Sequence, residues 1–186
     1  SGNIAVLVSK DATPAEASTL IFQSQADVVV TSAKYTYEQE LLEQKLLKSK
    51  YCFSMRDLDD WMEKGRRFYE KGRGLYEKVE LDPDQMCVIF FTSGTSGTSK
   101  GVMLSQSNIL ANVNDAAQVY QPEGPTLAIL PFTHAFGLNT GVLLIIHYGY
   151  PVFISNGLPS FMREMTIAKP NILFLVPLFI ETFSNT

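Results

Sequence analysis

The stretch Thr92-Ser93-Gly94-Thr95-Ser96-Gly97-Thr98-Ser99-Lys100-Gly101 packs six hydroxyl side chains, three glycines and one lysine into ten residues. Glycine allows positive φ and close backbone approach. Successive backbone N–H groups then form a concave nest for an anion. Hydroxyls add donors for phosphate oxygens, and Lys100 adds a compact positive charge. The set suits a polyphosphate, with Thr92, Ser93, Gly94, Thr95, Ser96, Gly97, Thr98 and Lys100 as the contacting residues. A flexible Ser/Gly linker has a similar composition. This stretch is instead bracketed by Val88-Ile89-Phe90-Phe91 and Val102-Met103-Leu104, which read as buried strands. The Walker A loop requires G-x-x-x-x-G-K-[ST], whereas Lys100 lies three residues after Gly97 and precedes a glycine. The dinucleotide fingerprint G-x-G-x-x-G is absent at this strand end.

The other candidate is His134, within Leu130-Pro131-Phe132-Thr133-His134-Ala135-Phe136-Gly137-Leu138. A lone histidine is usually a satisfied structural residue. His134 lies just after a strand, about 30 residues past the loop, and is a candidate catalytic side chain whose role only a family resemblance assigns. His147 has no such setting and reads as structural. Cys52 and Cys87 both sit among apolar neighbours and read as buried free thiols. Two cysteines support neither a disulfide framework nor a metal site, so no metal ligands are assigned.

The elements around these residues alternate. Ile4 to Val8 reads as a strand. Thr13-Pro14-Ala15-Glu16 predicts a capping box with proline at the first helical position. Asp27 to Thr31 is the next strand. Tyr37, Leu41, Leu42 and Leu46 mark a second helix, and a third runs from about Asp57 to Lys71 with Leu58, Trp61, Met62, Gly65 and Phe68 on one face. Trp61 reads as core, and Asp60 with Lys64 as an i,i+4 pair on a solvated face. Lys71 to Pro83 reads as a polar connector. Met86 to Phe91 is a strongly apolar strand. Ser105 caps a helix carrying Ile109, Val113, Ala116, Ala117 and Tyr120. Strands follow at Thr126 to Leu130, Pro151 to Ile154 and Ile172 to Val176. Helices are expected over Leu138 to His147, buried on most sides, around Phe161 to Met165, and from Pro177. Such alternation predicts an α/β fold of mostly parallel sheets flanked by helices.

The 186 residues are 46% hydrophobic and 18% charged, with a net charge of -4. That composition supports a packed interior. It gives no electrostatic reason for nucleic-acid binding or for membrane-surface binding. No apolar run reaches the roughly 20 residues of a membrane span. The expectation is a soluble, cytoplasmic protein without a transmembrane segment, with peripheral membrane contact left open.

The segment from Phe91 to Ser105 resembles the signature loop of the adenylate-forming (AMP-binding) superfamily. That group includes acyl-CoA synthetases, firefly-type luciferases and adenylation domains of nonribosomal peptide synthetases. The resemblance implies that the loop clamps the ATP phosphates and that Lys100 is its terminal lysine. Ser99 departs from the pattern, since many members carry proline there, and the fixed φ of proline is lost. Leu130 to Leu138 is similar to the family's next block, in which a histidine or aromatic residue borders the carboxylate pocket; His134 takes that place. Lys169-Pro170-Asn171-Ile172-Leu173-Phe174-Leu175-Val176-Pro177 is similar to a strand leading into a Val-Pro turn behind the acyl pocket, with Leu178 where many members have arginine.

The implied architecture is part of the large N-terminal domain of an adenylate-forming enzyme. Residues 1–186 form a partial adenylation domain, divisible into 1–75 and 76–186, with the C-terminal domain absent. The implied reaction activates a carboxylic acid with ATP and Mg2+, then passes the acyl group to coenzyme A or a carrier-protein pantetheine. The helix from Asp57 looks most like the long-chain fatty acyl-CoA synthetase branch. The blocks expected for Mg2+, the ribose and the catalytic lysine are not in the chain, so the isolated chain is expected not to turn over. The alternatives are an adenylation domain loading an amino or aryl acid onto a carrier protein, and a non-catalytic nucleotide-binding module.

Overall fold

The computed structural model describes residues 2–32, 52–93 and 99–184. The chain divides into two compact units, Ser1–Met103 and Leu104–Thr186, each of which is treated by itself.

The first unit runs β1 (Ala5–Val6), α1 (Pro14–Ser24), β2 (Val29–Thr31), β3 (Cys52–Ser54), a 3-10 turn (Met55–Asp57), α2 (Leu58–Tyr76), β4 (Met86–Ser93) and β5 (Ser99–Ser105). β1 and β4 pair in parallel, with Ala5 opposite Val88 and Val6 opposite Ile89. β5 lies on the other side of β4. Val88, Ile89 and Phe90 are all buried, as a strand covered on both faces requires. β2 and β3 form a second parallel pair with Val29 opposite Cys52. The expected helix over Tyr37 to Leu46 lies outside the described residues.

Helix α1 begins as its sequence demands. Thr13 Oγ1 accepts from the Glu16 amide at 3.3 Å, and the Glu16 carboxylate accepts from the Thr13 amide at 2.7 Å. The Thr13 hydrogen bonds, backbone first, hold the Glu16 carboxyl below its ordinary pKa. Ile21 then packs on Ala26, Val29 and Cys52.

Three expectations for this unit are corrected. Helix α2 continues to Tyr76 instead of giving way to a connector at Lys71. Gly72 and Gly74 each cost about 1 kcal/mol in a helix. Tyr69 and Tyr76 meet edge to face at 5.9 Å, and Arg73 bonds Glu77 at 2.7 Å, which supports the last turns. Trp61 does turn inward, against Phe53 at 4.7 Å, but it is only half-buried and the rest of the supposed core face is exposed. The free thiols Cys52 and Cys87 are likewise half-buried rather than buried.

The second unit runs α3 (Gln106–Val119), β6 (Thr126–Ala128), α4 (Ala135–Leu138), a π-helical stretch (Asn139–Leu143), α5 (Leu144–His147), β7 (Val152–Ile154), a 3-10 turn (Leu158–Ser160), α6 (Phe161–Ala168) and α7 (Pro177–Ser184). Ser105 and Asn108 close a capping box on α3. Its core gathers Val113, Leu130, Leu144, Ile145 and Phe174; Leu127, Phe161 and Ala168 form a second cluster. β6 and β7 pair in parallel. The strand expected over Ile172 to Val176 is reduced to one bridge, Thr126 with Ile172. Side chains replace the missing ladder: Thr126 Oγ1 donates to the Ile172 carbonyl at 2.8 Å, and Asn171 Oδ1 accepts from the Glu123 amide at 3.0 Å.

The turn before α4 is fixed by a close approach. The His134 amide donates to the Pro131 carbonyl at 3.2 Å. A Cβ on Gly137 would sit 2.4 Å from that same carbonyl oxygen. Helix and turn touch only because residue 137 has no side chain. Gly137→Ala is therefore expected to lower stability by about 1–3 kcal/mol and to displace the turn. Thermal melts check the first effect, and amide chemical shifts over Pro131–Leu138 check the second.

The loop after β7 is latched by Glu164. Its carboxylate accepts from the Ser155 hydroxyl at 2.6 Å, from the Asn156 side-chain amide at 2.8 Å and backbone at 3.2 Å, and from the Ser160 hydroxyl at 2.9 Å. These donors, Ser155 foremost and Asn156 next, pull its pKa from 4.5 to about 2. The folded state favours the carboxylate, so the stabilisation is full above the ordinary value and fades as pH falls toward about 2. The melting difference between the protein and Glu164→Gln should be constant near neutral pH and shrink across that acid window. A difference that does not change with pH would show the latch to be uncharged.

Candidate nucleotide and carboxylate site

The phosphate-loop candidates are carried by the β4–β5 pair. A connection of five residues is far too short for a parallel crossover, so the two strands form a hairpin. Buried Val88 to Phe90 fix β4, and the chain emerges through half-buried Phe91 to exposed Thr92. Ser93 ends β4. Gly94, Thr95, Ser96, Gly97 and Thr98 lie outside the described residues. On the return strand, Ser99, Lys100 and Gly101 are exposed.

Thr92 Oγ1 donates to the Lys100 carbonyl at 3.5 Å, a long bond that nonetheless shows the loop's two ends side by side. Gly101 makes this possible. A Cβ there would stand 3.2 Å from Ile89 Cγ2 and 3.4 Å from Phe91 Cε1, tighter than ordinary contact. The glycine after the lysine lets β5 lie close on β4. Among the described residues the Lys100 ammonium pairs with no carboxylate. A hydroxyl and a cation at an exposed hairpin end fit an anionic polyphosphate. Among the described residues no group of three His, Cys, Asp or Glu side chains converges as metal ligands.

His134 belongs to the second unit. It is exposed and stands as the N-terminal flanking residue of α4, where its carbonyl accepts from the Leu138 amide at 3.1 Å. The imidazole makes no capping bond, so the helix start leaves it uncommitted. Its position comes from the Pro131 turn pinned against Gly137. Behind it the helix takes a π-helical turn, a form common at functional sites. Thr140 Oγ1 donates to the Phe136 carbonyl at 2.6 Å, and Asn139 Nδ2 to Asn112 Oδ1 at 2.7 Å. Asn139 Oδ1 is buried with no hydrogen-bond partner among the described residues. Phe136 is exposed and meets Phe174 edge to face at 6.2 Å; Tyr120 meets the same ring at 5.4 Å.

The structure thus sets Thr92, Ser93 and Lys100 at one hairpin end and His134 at a helix mouth in the other unit. Sequence reasoning quoted Gly101 and Gly137 only as members of motifs. The signal for their steric role was present. Glycine costs about 1 kcal/mol inside a helix, so Gly137 at the start of an apolar helix points to a close backbone approach. Among the described residues no helix is long and apolar enough to cross a membrane.

The sequence and the fold both have counterparts among known proteins. The family described as AMP-binding enzyme matches residues 1–186. A long-chain-fatty-acid–CoA ligase of Escherichia coli O157:H7 is 35% identical over 98 residues, which cover 48% of this chain and 18% of the ligase. A probable 4-coumarate–CoA ligase 1 of Dictyostelium discoideum is 35% identical over 112 residues, 55% of this chain and 20% of that one. The matches to these curated relatives thus span about a fifth of their length. Among solved structures, o-succinylbenzoate coenzyme A synthetase from Bacillus subtilis, in complex with ATP and magnesium ion, superposes with a TM-score of 0.72 at 17% identity. That match covers 97% of this chain and 35% of the synthetase, and at this identity it establishes the fold. By sequence family and by fold, the chain belongs to the AMP-binding, adenylate-forming enzymes.

Proposed function

We propose that residues 1–186 are part of the adenylation domain of an acid–thiol ligase that activates a fatty acid with ATP and transfers the acyl group to coenzyme A. The observation that carries this reading is the β4–β5 hairpin, which presents Thr92 and Lys100, unpaired among the described residues, at the ends of a hydroxyl- and glycine-rich loop. In the first half-reaction a carboxylate oxygen attacks the α-phosphorus of ATP, and pyrophosphate leaves. The loop from Thr92 to Thr98 and Lys100 hold the β- and γ-phosphates, so the leaving pyrophosphate's charge meets fixed donors. Mg2+ supplies further charge neutralisation when bound with the phosphates. His134, held by its turn, borders the carboxylate and orients it toward the phosphorus. In the second half-reaction the coenzyme A thiol attacks the acyl carbonyl and AMP leaves.

The preference for a fatty acid rests on the apolar character of Phe132, Phe136 and Leu138 around His134, and on the similarity to a long-chain-fatty-acid–CoA ligase. Phe174 carries less weight, since it is part of the core cluster. A second reading, an aryl acid, is favoured by the equal identity to a 4-coumarate–CoA ligase and by the aromatic contacts of Phe136 and Tyr120 with Phe174.

ATP–pyrophosphate exchange by the full-length protein separates these readings. Exchange should depend on a fatty acid and fall about a hundredfold or more in Lys100→Ala, as loss of a charge-stabilising donor does. Exchange driven only by 4-coumarate-like acids would replace the fatty-acid reading with the aryl one. Nucleotide binding without exchange for any acid would leave a non-catalytic module.

A further inference from the structure

Helix α2 has a design that the nucleotide site does not use. No residue of its 19 is buried. At about 100° per residue, its apolar side chains fall within an arc of about 140°. Along that stripe Met62 is 61% exposed, Phe68 75% and Leu75 79%, with Tyr69 and Tyr76 beside them. Trp61 turns against Phe53. The N-terminal part of the helix is thereby anchored, and among the described residues none covers the apolar side chains of its later turns.

The charges are sorted about the stripe. Lys64 and Lys71 line one edge of the apolar arc, and Arg66 and Arg73 line the other. Asp59, Glu63 and Glu70 lie on the far side together with Arg67, which pairs with Glu63, and Asp60 sits beside the lysine edge. From Lys64 to Lys78 there are six cations and two carboxylates. Lys64 and Arg73 do pair with Asp60 and Glu77, but both pairs are exposed and so are weak and exchangeable. A core-facing helix does not need cations along both edges of its apolar stripe. A helix lying in a lipid interface does: the stripe enters the acyl boundary, and long basic side chains reach up to phosphate headgroups.

We propose that α2 is an interfacial anchor, which lays the Met62–Phe68–Leu75 stripe into the surface of a membrane containing anionic lipid. The charge arrangement favours a membrane over an apolar protein groove: among the described residues the border cations Lys71 and Arg66 pair with no carboxylate, and a groove would bury them unpaired where phosphate headgroups would meet them. The overall charge of -4 does not oppose this, because the cations act locally, within a Debye length of the surface.

The test is flotation of the full-length protein with phosphatidylcholine vesicles, with or without phosphatidylglycerol. Binding is expected only to the anionic vesicles and should weaken with salt. Lys64→Gln and Lys71→Gln should each reduce it about fivefold. The double variant Phe68→Ser/Leu75→Ser should reduce it more than tenfold with its circular dichroism unchanged. An environment-sensitive dye on Leu75→Cys should shift to the blue on adding anionic vesicles. Absence of flotation, flotation indifferent to these substitutions, or a dye already shielded before vesicles are added would each overturn the proposal. The last result would mean that another part of the protein covers the stripe. None of these readouts depends on turnover, so the failure of the anchor and the failure of the proposed ligase activity are separable.

Discussion

A loop of hydroxyls and glycines grips a polyphosphate only if its ends are held still, and the burial of β4 provides that constraint. Val88, Ile89 and Phe90 cannot leave the interior without exposing large apolar surface, at roughly 25 cal/mol per Å2. Parallel pairing to β1 fixes the strand along its length. Gly101 then brings β5 against Ile89 and Phe91, so that Lys100 emerges at a set distance from Thr92. The entropy of ordering the loop ends is thus met by folding rather than by whatever ligand the loop takes. The same logic explains the order of residue types: apolar run, polar loop, lysine, glycine, apolar run.

The second unit solves a related problem with different parts. His134 has no strand to hold it, and its own side chain makes no capping bond. The Pro131 carbonyl does the holding, by accepting from the His134 amide while touching Gly137. Leu144 and Ile145, fully buried a few residues later, root this helical segment in the core. Between rigid start and rigid end lies the π-helical turn, with Asn139 Oδ1 left without a partner among the described residues. An orphaned buried acceptor is costly. Its persistence beside an uncommitted imidazole is the kind of local violation that concentrates at functional sites.

Much of this was legible in the residues, and the failures have physical causes. Capping chemistry is local, so Thr13 with Glu16, Ser105 at α3 and Pro177 at α7 could be read directly. Strand β4 was legible because a run covered on both faces has no polar interruption. Strand β3 was missed, since three half-buried residues around Cys52 carry no periodicity. The Ile172 to Val176 run had strand composition, but its ladder was replaced by side-chain bonds from Thr126 and Asn171, which composition does not reveal. The candidate loop and His134 stand out in the sequence through residue types, spacing and family resemblance. The glycines that position them were not understood, because a missing side chain signals only through the atom it would strike.

Helix α2 shows the limit of periodicity most clearly. Its apolar repeat is as regular as that of any core helix, and the sequence was read as one. A hydrophobic stripe states that something apolar must cover it; it does not say what. The distribution of charge carries that second piece of information. In a core helix the polar residues need only face water, and their signs along the stripe's borders are unconstrained. Here both borders carry cations and most of the acids sit behind them, an arrangement that suits phosphate headgroups better than a protein groove. If the parent enzyme activates an apolar acid, its substrate partitions into the same interface. A helix that holds the protein at that surface then raises the local concentration of substrate without adding any contact in the acyl pocket.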